Sequence, residues 1–170
     1  GYRAGTENVA GIFAMGKAAE VAARDLDANT ETCLGARGIF EKLAEDLPRT
    51  RINGHHSARL PNTVNLCCLY ADAMSVCMAL SVQGVYVGTG SACASHTKEP
   101  SRVLRAMGLS EFAAYCSIRI STGPSVSEDD AAYAAERIRE AVENVRLVPE
   151  PEDIGECDED CPCYIDEDRP

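Results

Sequence analysis

Cys93 sits in Gly88-Thr89-Gly90-Ser91-Ala92-Cys93-Ala94-Ser95-His96-Thr97-Lys98-Glu99, a run of small and polar residues that reads as loop. A cysteine acts as a nucleophile only as thiolate and only where a partner can reach it, so a thiol in such a loop is a candidate. His96 and Lys98 stand close in sequence, and a positive charge on either would favour the thiolate. An incidental loop thiol would have the same surroundings, and local chemistry alone does not separate the two. Arg119 is the second candidate. It alternates with Ile118 and Ile120, which puts it on the opposite face of a strand. A guanidinium held by a strand can grip a carboxylate through two parallel hydrogen bonds, although a structural ion pair is the commoner fate of an arginine. The third is Gly5-Thr6, just ahead of an apolar helical pattern. Free backbone N–H groups, a hydroxyl and the positive end of a helix make an anion site; an ordinary capping threonine fits the same residues.

The remaining cysteines read differently. Cys67, Cys68, Cys77 and Cys116 fall on periodic segments and are expected to be small core hydrophobes. The total of nine is odd, and no secretion leader accompanies it, so reduced thiols and a cytoplasmic setting are expected rather than a disulfide framework. His55-His56 lacks further ligands nearby, and Cys157-x-x-x-Cys161-x-Cys163 is not a standard zinc spacing, so no metal site is assigned.

The elements that must carry these residues follow from periodicity. Val9, Ile12, Phe13 and Gly16 share one helical face, which predicts a helix starting near Thr6 and running past Ala23. A second helix is predicted from about Asn29 to Leu47, closed by Pro48. Arg51–Asn53 is a short candidate strand, and 55–61 a loop. Asn62–Leu69 reads as a strand with Val64, Leu66 and Cys68 on one face and Thr63, Asn65 and Cys67 on the other. Ala71–Gln83 is predicted helical with Ala73, Val76, Cys77 and Leu80 in line, ended by Gly84. Val85–Val87 is predicted to be a short buried strand. Pro100, at a first helical position, is expected to open Ser101–Met107, with Gly108 closing it. Cys116–Ser121 reads as the strand that presents Arg119. Ser127-x-x-Asp130 is a capping-box signature ahead of a stripe of Ala131, Ala134, Ile138, Val142 and Val145. The sum is an α+β body, a small sheet packed with helices and preceded by a long helical arm.

Composition narrows the function classes. Among 170 residues, 27 acids oppose 16 bases for a net charge of −11, which disfavours a nucleic-acid binder or docking on anionic lipid. Most of that charge lies between Pro149 and Pro170, leaving the body nearly neutral; this tail is too acidic and too poor in apolar residues to fold alone. No apolar run approaches membrane-spanning length. Apolar residues make up 45% of the chain but tryptophan is absent, so the core must be aliphatic.

Five strings occur in register: Gly1-Tyr2-Arg3-Ala4-Gly5-Thr6-Glu7-Asn8, Leu60-Pro61-Asn62-Thr63-Val64-Asn65, Gly90-Ser91-Ala92-Cys93-Ala94-Ser95, Glu99 through Gly108 (EPSRVLRAMG), and Ser117-Ile118-Arg119-Ile120-Ser121. In that order they resemble the C-terminal part of a NifS/IscS-type cysteine desulfurase over about 1–148. The resemblance implies the small C-terminal domain of a fold type I pyridoxal-phosphate enzyme of the class V aminotransferase group, homodimeric when complete. Such enzymes take sulfur from L-cysteine, leave alanine, and pass a persulfide to an iron–sulfur scaffold or another acceptor. By resemblance, Cys93 forms the persulfide, Arg119 binds the substrate carboxylate, and Thr6 reaches the cofactor phosphate in the neighbouring subunit's site. His96 is the residue expected to tune the thiolate. The long segment between Cys93 and Pro100 favours the NifS/IscS type over the SufS type. The resemblance further implies 1–25 as an arm left at the cofactor-domain boundary and 26–148 as the small domain; 149–170, which has no counterpart in that family, is expected from its composition to be a disordered acidic tail. The family's cofactor lysine, in a Ser-x-His-Lys string, has no counterpart here; the three lysines are Lys17, Lys42 and Lys98. Pyridoxal phosphate is therefore expected in the complete enzyme and not stably on this chain alone. An orphaned sulfur-relay or metal-binding domain is the alternative.

Overall fold

The computed structural model describes residues 4–55, 57–90 and 100–146. Cys93 and His96 lie outside the described residues, as do His56, Lys98 and the whole acidic tail.

The chain opens with two helices, α1 (Val9–Arg24) and α2 (Leu26–Asp46), separated by the single residue Asp25. Strands β1 (Thr50–Ile52) and β2 (Thr63–Cys68) lead to α3 (Ala73–Val82). Two short helices, α4 (Arg102–Ala106) and α5 (Glu111–Tyr115), precede β3 (Ser117–Ser121), and α6 (Glu128–Val145) ends the described body. The sheet is antiparallel, in the order β1-β2-β3. The expected α+β architecture, with its small helix-packed sheet and long N-terminal helical stretch, is the one observed.

One face of the sheet carries the main core. Val64, Leu66, Cys68, Ile118 and Ile120 meet Phe40 and Leu43 of α2, Val76 and Leu80 of α3, and Ile138 and Val142 of α6. The alternation read from β2 and β3 thus selects this face, and the stripe on α6 covers it. Ser127 caps α6: its hydroxyl accepts from the Asp130 N–H at 3.1 Å, and the Asp130 carboxylate accepts from the Ser127 N–H at 3.1 Å. Arg146 fastens the far end. Its guanidinium donates to the carbonyls of Pro48, Arg49 and Leu69 and to the Thr50 hydroxyl, joining the last turn of α6 to the edge of β1.

The opposite face is covered only in part. There α4 and α5 bring Leu104, Leu109, Ala113 and Ala114 onto Cys67, Leu69 and Cys116 as a second, smaller core. Cover therefore fades along the strands. The Cys67–Ser117 pair is wholly buried, Asn65 opposite Arg119 is half-buried, and Arg119 and Ser121 are exposed.

Four local expectations are corrected. Residues 85–87 form no strand: Val85 donates back to Leu80, Tyr86 is exposed, and the only pairing of this segment with the sheet is one bridge at Gly88. The first helix begins at Val9 and not near Thr6, because Asn8 is the cap and its Oδ1 accepts from the Gly11 N–H at 3.0 Å. Pro100 stands outside α4, whose cap is Ser101. The second helix starts at Leu26, three residues earlier than periodicity suggested. The glycine stops do hold: Gly84 and Gly108 end α3 and α4 with φ of +77° and +91°, where a side chain would be strained.

Helix α1 buries no side chain against the other described residues, and Val9, Ile12, Phe13 and Met15 are all more than half exposed. Its apolar pattern is real, and its partner surface is not among the described residues.

Candidate functional site

Arg119 is the candidate around which described residues gather. Its strand neighbours Ile118 and Ile120 are buried in the main core and fix the strand, so Arg119 must face the other way. Below it lies a polar floor. The Asn53 side-chain amide donates to Asn65 Oδ1 at 2.6 Å and to Ser117 Oγ at 3.1 Å, the Asn65 amide donates to the Ile118 carbonyl, and Ser117 Oγ donates to the Ala113 carbonyl at 2.7 Å. Asn53 and Ser117 are buried, and such a network holds only if its members keep their partners. It locks the three strands in register under Arg119.

The Arg119 backbone makes a further pairing. The Arg119 N–H donates to the Gly88 carbonyl at 2.6 Å, and the Gly88 N–H donates to the Arg119 carbonyl at 3.0 Å. The Cys77 thiol donates to the Val87 carbonyl, so α3 also holds the approach to Gly88. The guanidinium itself makes no hydrogen bond or ion pair with any of the described residues. Other arginines of the body do: Arg37 and Arg59 converge on Glu41, and Arg137 meets Glu140. An exposed guanidinium on a rigid strand, with no carboxylate among the described residues paired to it, is chemically ready to bind one from outside.

Thr6 is exposed, two residues ahead of the α1 cap, and has no partner among the described residues. It and Arg119 stand on separate elements and are not brought together. The five described cysteines are free thiols. Cys33, Cys67, Cys68 and Cys116 are buried and Cys77 is partly so. Burial raises the pKa of Cys67, Cys77 and Cys116, and pushes Cys68 up to about 12. They are held as thiols and cannot serve as nucleophiles near neutrality, in keeping with the core role expected for them.

The described residues do not build a cradle for pyridoxal phosphate. Lys17 is paired with Glu20 on α1, Lys42 lies on α2, and the shallow concavity along α1 is lined by Phe13, Ala14, Lys17, Ala18, Val21 and Ala22 with no phosphate-binding set. No group of three metal-ligating side chains occurs among the described residues, and no described helix is long and apolar enough to cross a membrane.

Sequence reasoning placed Arg119 on the strand face it occupies. It missed the Asn53–Asn65–Ser117 floor and the Gly88 pairing. The shared face of Asn65, Ser117 and Arg119 was the available signal for the floor; nothing local linked Gly88 to a residue 31 positions later.

The chain belongs to the aminotransferase class-V family, whose pattern matches residues 1–133. This is a family of pyridoxal-phosphate-dependent enzymes, and within it the chain is similar to cysteine desulfurases. It is 39% identical over 144 residues to "Cysteine desulfurase IscS" of Methanosarcina thermophila, covering 85% of this chain and 36% of the relative. It is 38% identical over 147 residues to the protein of the same name in Dictyoglomus turgidum, covering 86% and 37%. Among solved structures, a NifS-like protein superposes with a TM-score of 0.71 at 27% identity, over 84% of this chain and 35% of that one. The NifS-like protein of Rickettsia africae gives 0.66 at 27% identity, over 86% and 37%. The chain thus spans little more than a third of the length of these relatives.

Proposed function

We propose that this chain is the C-terminal portion of a cysteine desulfurase, in which Arg119 holds the carboxylate of L-cysteine and Cys93 takes its sulfur. The observation that carries the reading is the exposed guanidinium of Arg119, without an ion-pair partner among the described residues and tied by its own backbone to Gly88, five residues before Cys93. Five residues span at most about 18 Å, a reach compatible with sulfur transfer from a substrate held at Arg119.

In the overall transfer, the C–S bond of cysteine breaks and an S–S bond forms at Cys93. The thiol and cysteine become a persulfide and alanine, so atoms and electrons balance without an added oxidant. Pyridoxal phosphate, when bound in the complete enzyme, supplies the electron sink for that cleavage. This chain's share is to orient the substrate through Arg119, to carry sulfur on Cys93 with His96 as the group that tunes its thiolate, and to lend Thr6 to a phosphate in a neighbouring subunit. The lysine that anchors the cofactor comes from residues beyond this sequence, and the isolated chain binds the cofactor weakly or not at all. Residues 1–25 are the arm that joins this small domain to the cofactor domain, and 149–170 a separate acidic tail. The complete enzyme is a cytoplasmic homodimer that hands sulfur to an iron–sulfur scaffold or another acceptor.

The test is the mass of thiol-bearing peptides after the chain, combined with a lysine-bearing half, has been given L-cysteine. The peptide containing Cys93 should gain one sulfur atom, Cys93→Ser should abolish that gain, and Cys116→Ser should not. A persulfide that persists in Cys93→Ser at another thiol would overturn the assignment.

A further inference from the structure

A Cβ placed on Gly88 would meet three atoms, and all three belong to one group: Arg119 Nη2 at 3.1 Å, Cζ at 3.6 Å and Nε at 3.9 Å. The guanidinium therefore lies across the bare α-carbon of Gly88. The backbone does not explain a glycine there. Gly88 does not have the positive φ that Gly5, Gly54, Gly84 and Gly108 adopt, so its conformation is open to any residue. Its N–H and carbonyl are both spent on Arg119, in bonds that an alanine would keep. What glycine alone provides is room for the guanidinium.

We infer that Gly88 is a positioning residue for Arg119: the missing side chain is the seat that sets where the carboxylate-binding fork stands. The paired backbones fix the two α-carbons against each other. With the seat empty, the guanidinium lies along the bridge; with a methyl in it, Nη2 must retreat by several tenths of an ångström to reach ordinary contact. A bidentate grip is sensitive to displacements of this size, since it needs two parallel bonds at once. The inference rests on Arg119 being the substrate clamp only for its effect on cysteine, and not for the seat itself.

The experiment therefore has two arms. In the first, Arg119 Nε–Hε of the isotope-labelled full chain is followed by NMR and assigned by its loss in Arg119→Lys. Gly88→Ala should shift that resonance while leaving the thermal midpoint within a few degrees. Gly123→Ala, whose Cβ meets nothing within 4 Å, should leave it in place. In the second, the chain is combined with the lysine-bearing half and cysteine turnover is measured. Gly88→Ala should raise KM about tenfold with kcat changed less than twofold. It should add nothing when placed on Arg119→Lys, because it acts through that residue. An unmoved Nε–Hε resonance, or a KM effect that survives in full on Arg119→Lys, overturns the seat. If instead Arg119→Lys leaves cysteine kinetics unchanged, the clamp reading fails, and the NMR arm alone decides whether Gly88 places the guanidinium.

Discussion

Raising the pH above 9 should destabilise the fold, and Cys68 should account for a measurable part of the slope. The thiol is 1% exposed, against the main core, and its pKa is pushed up from an ordinary 9 to about 12 by burial. In the unfolded chain it ionises near 9. Below that pH both states hold the proton, and the thiol's contribution to stability is intact. Above it the unfolded state gains the ionised form while the folded state does not, so stability is lost as pH climbs toward 12. Each unit of pH in that window removes about 1.4 kcal/mol for one group, so Cys68 alone should take away about 1.4 kcal/mol by pH 10 and about 2 kcal/mol by pH 10.5. Urea unfolding between pH 8 and 10.5, with a reductant present, measures the slope. Cys67, Cys77 and Cys116 shift in the same direction, so the wild-type slope is a sum. Cys68→Ala isolates one term. It lowers stability at every pH through the cavity it leaves, and it should also flatten the alkaline slope by about 1.4 kcal/mol per unit. Parallel wild-type and Cys68→Ala curves from pH 9 to 10.5 would show that this thiol is not held protonated by the fold.

Further outcomes can be read on the same chain. Ser127→Ala removes the acceptor for the Asp130 N–H and half of a capping box, and should lower stability by about 1 kcal/mol in urea unfolding. Ile138→Ala empties a wholly buried site between α6 and the sheet and should cost about 2–5 kcal/mol by the same assay. Phe13→Ser removes a side chain that is 77% exposed, so it should leave stability nearly unchanged while reducing self-association by light scattering and binding of an apolar dye.

What was legible in sequence was whatever a single face of a single element records. The alternation around Ile118 and Ile120 reported both a core face and the opposite face of Arg119, and the Ser127–Asp130 pair announced α6. What was not legible depended on a second partner. Cys67 was expected to be a core hydrophobe and is buried, but the element that covers it on the face away from Val64 and Leu66 was not readable, since five residues of α5 are too few to show a helical period. The apolar triplet Val85–Val87 looks like a strand, yet the turn at Gly84 and the bond from Val85 to Leu80 keep it from pairing. Thr6 and Asn8 are both capping types two positions apart, and only side-chain geometry shows that Asn8 reaches Gly11. For the candidate site, the face that Arg119 occupies was visible, but the Gly88 contact arises from how a long-range bridge is registered, which local spacing does not encode.

Helix α1 carries a mechanical consequence for Thr6. Sixteen residues at 1.5 Å each make a lever about 24 Å long. It joins the body at Asp25, and none of its side chains is buried among the described residues. A tilt of about 5° at that junction sweeps the tip through roughly 2 Å, several times the tolerance of a binding contact of about 0.5 Å. Contacts among the described residues therefore do not fix where Thr6 stands. A surface laid along Val9, Ile12 and Phe13 would fix the direction of the helix and the position of its tip together, so that covering this apolar face and placing Thr6 would be one event.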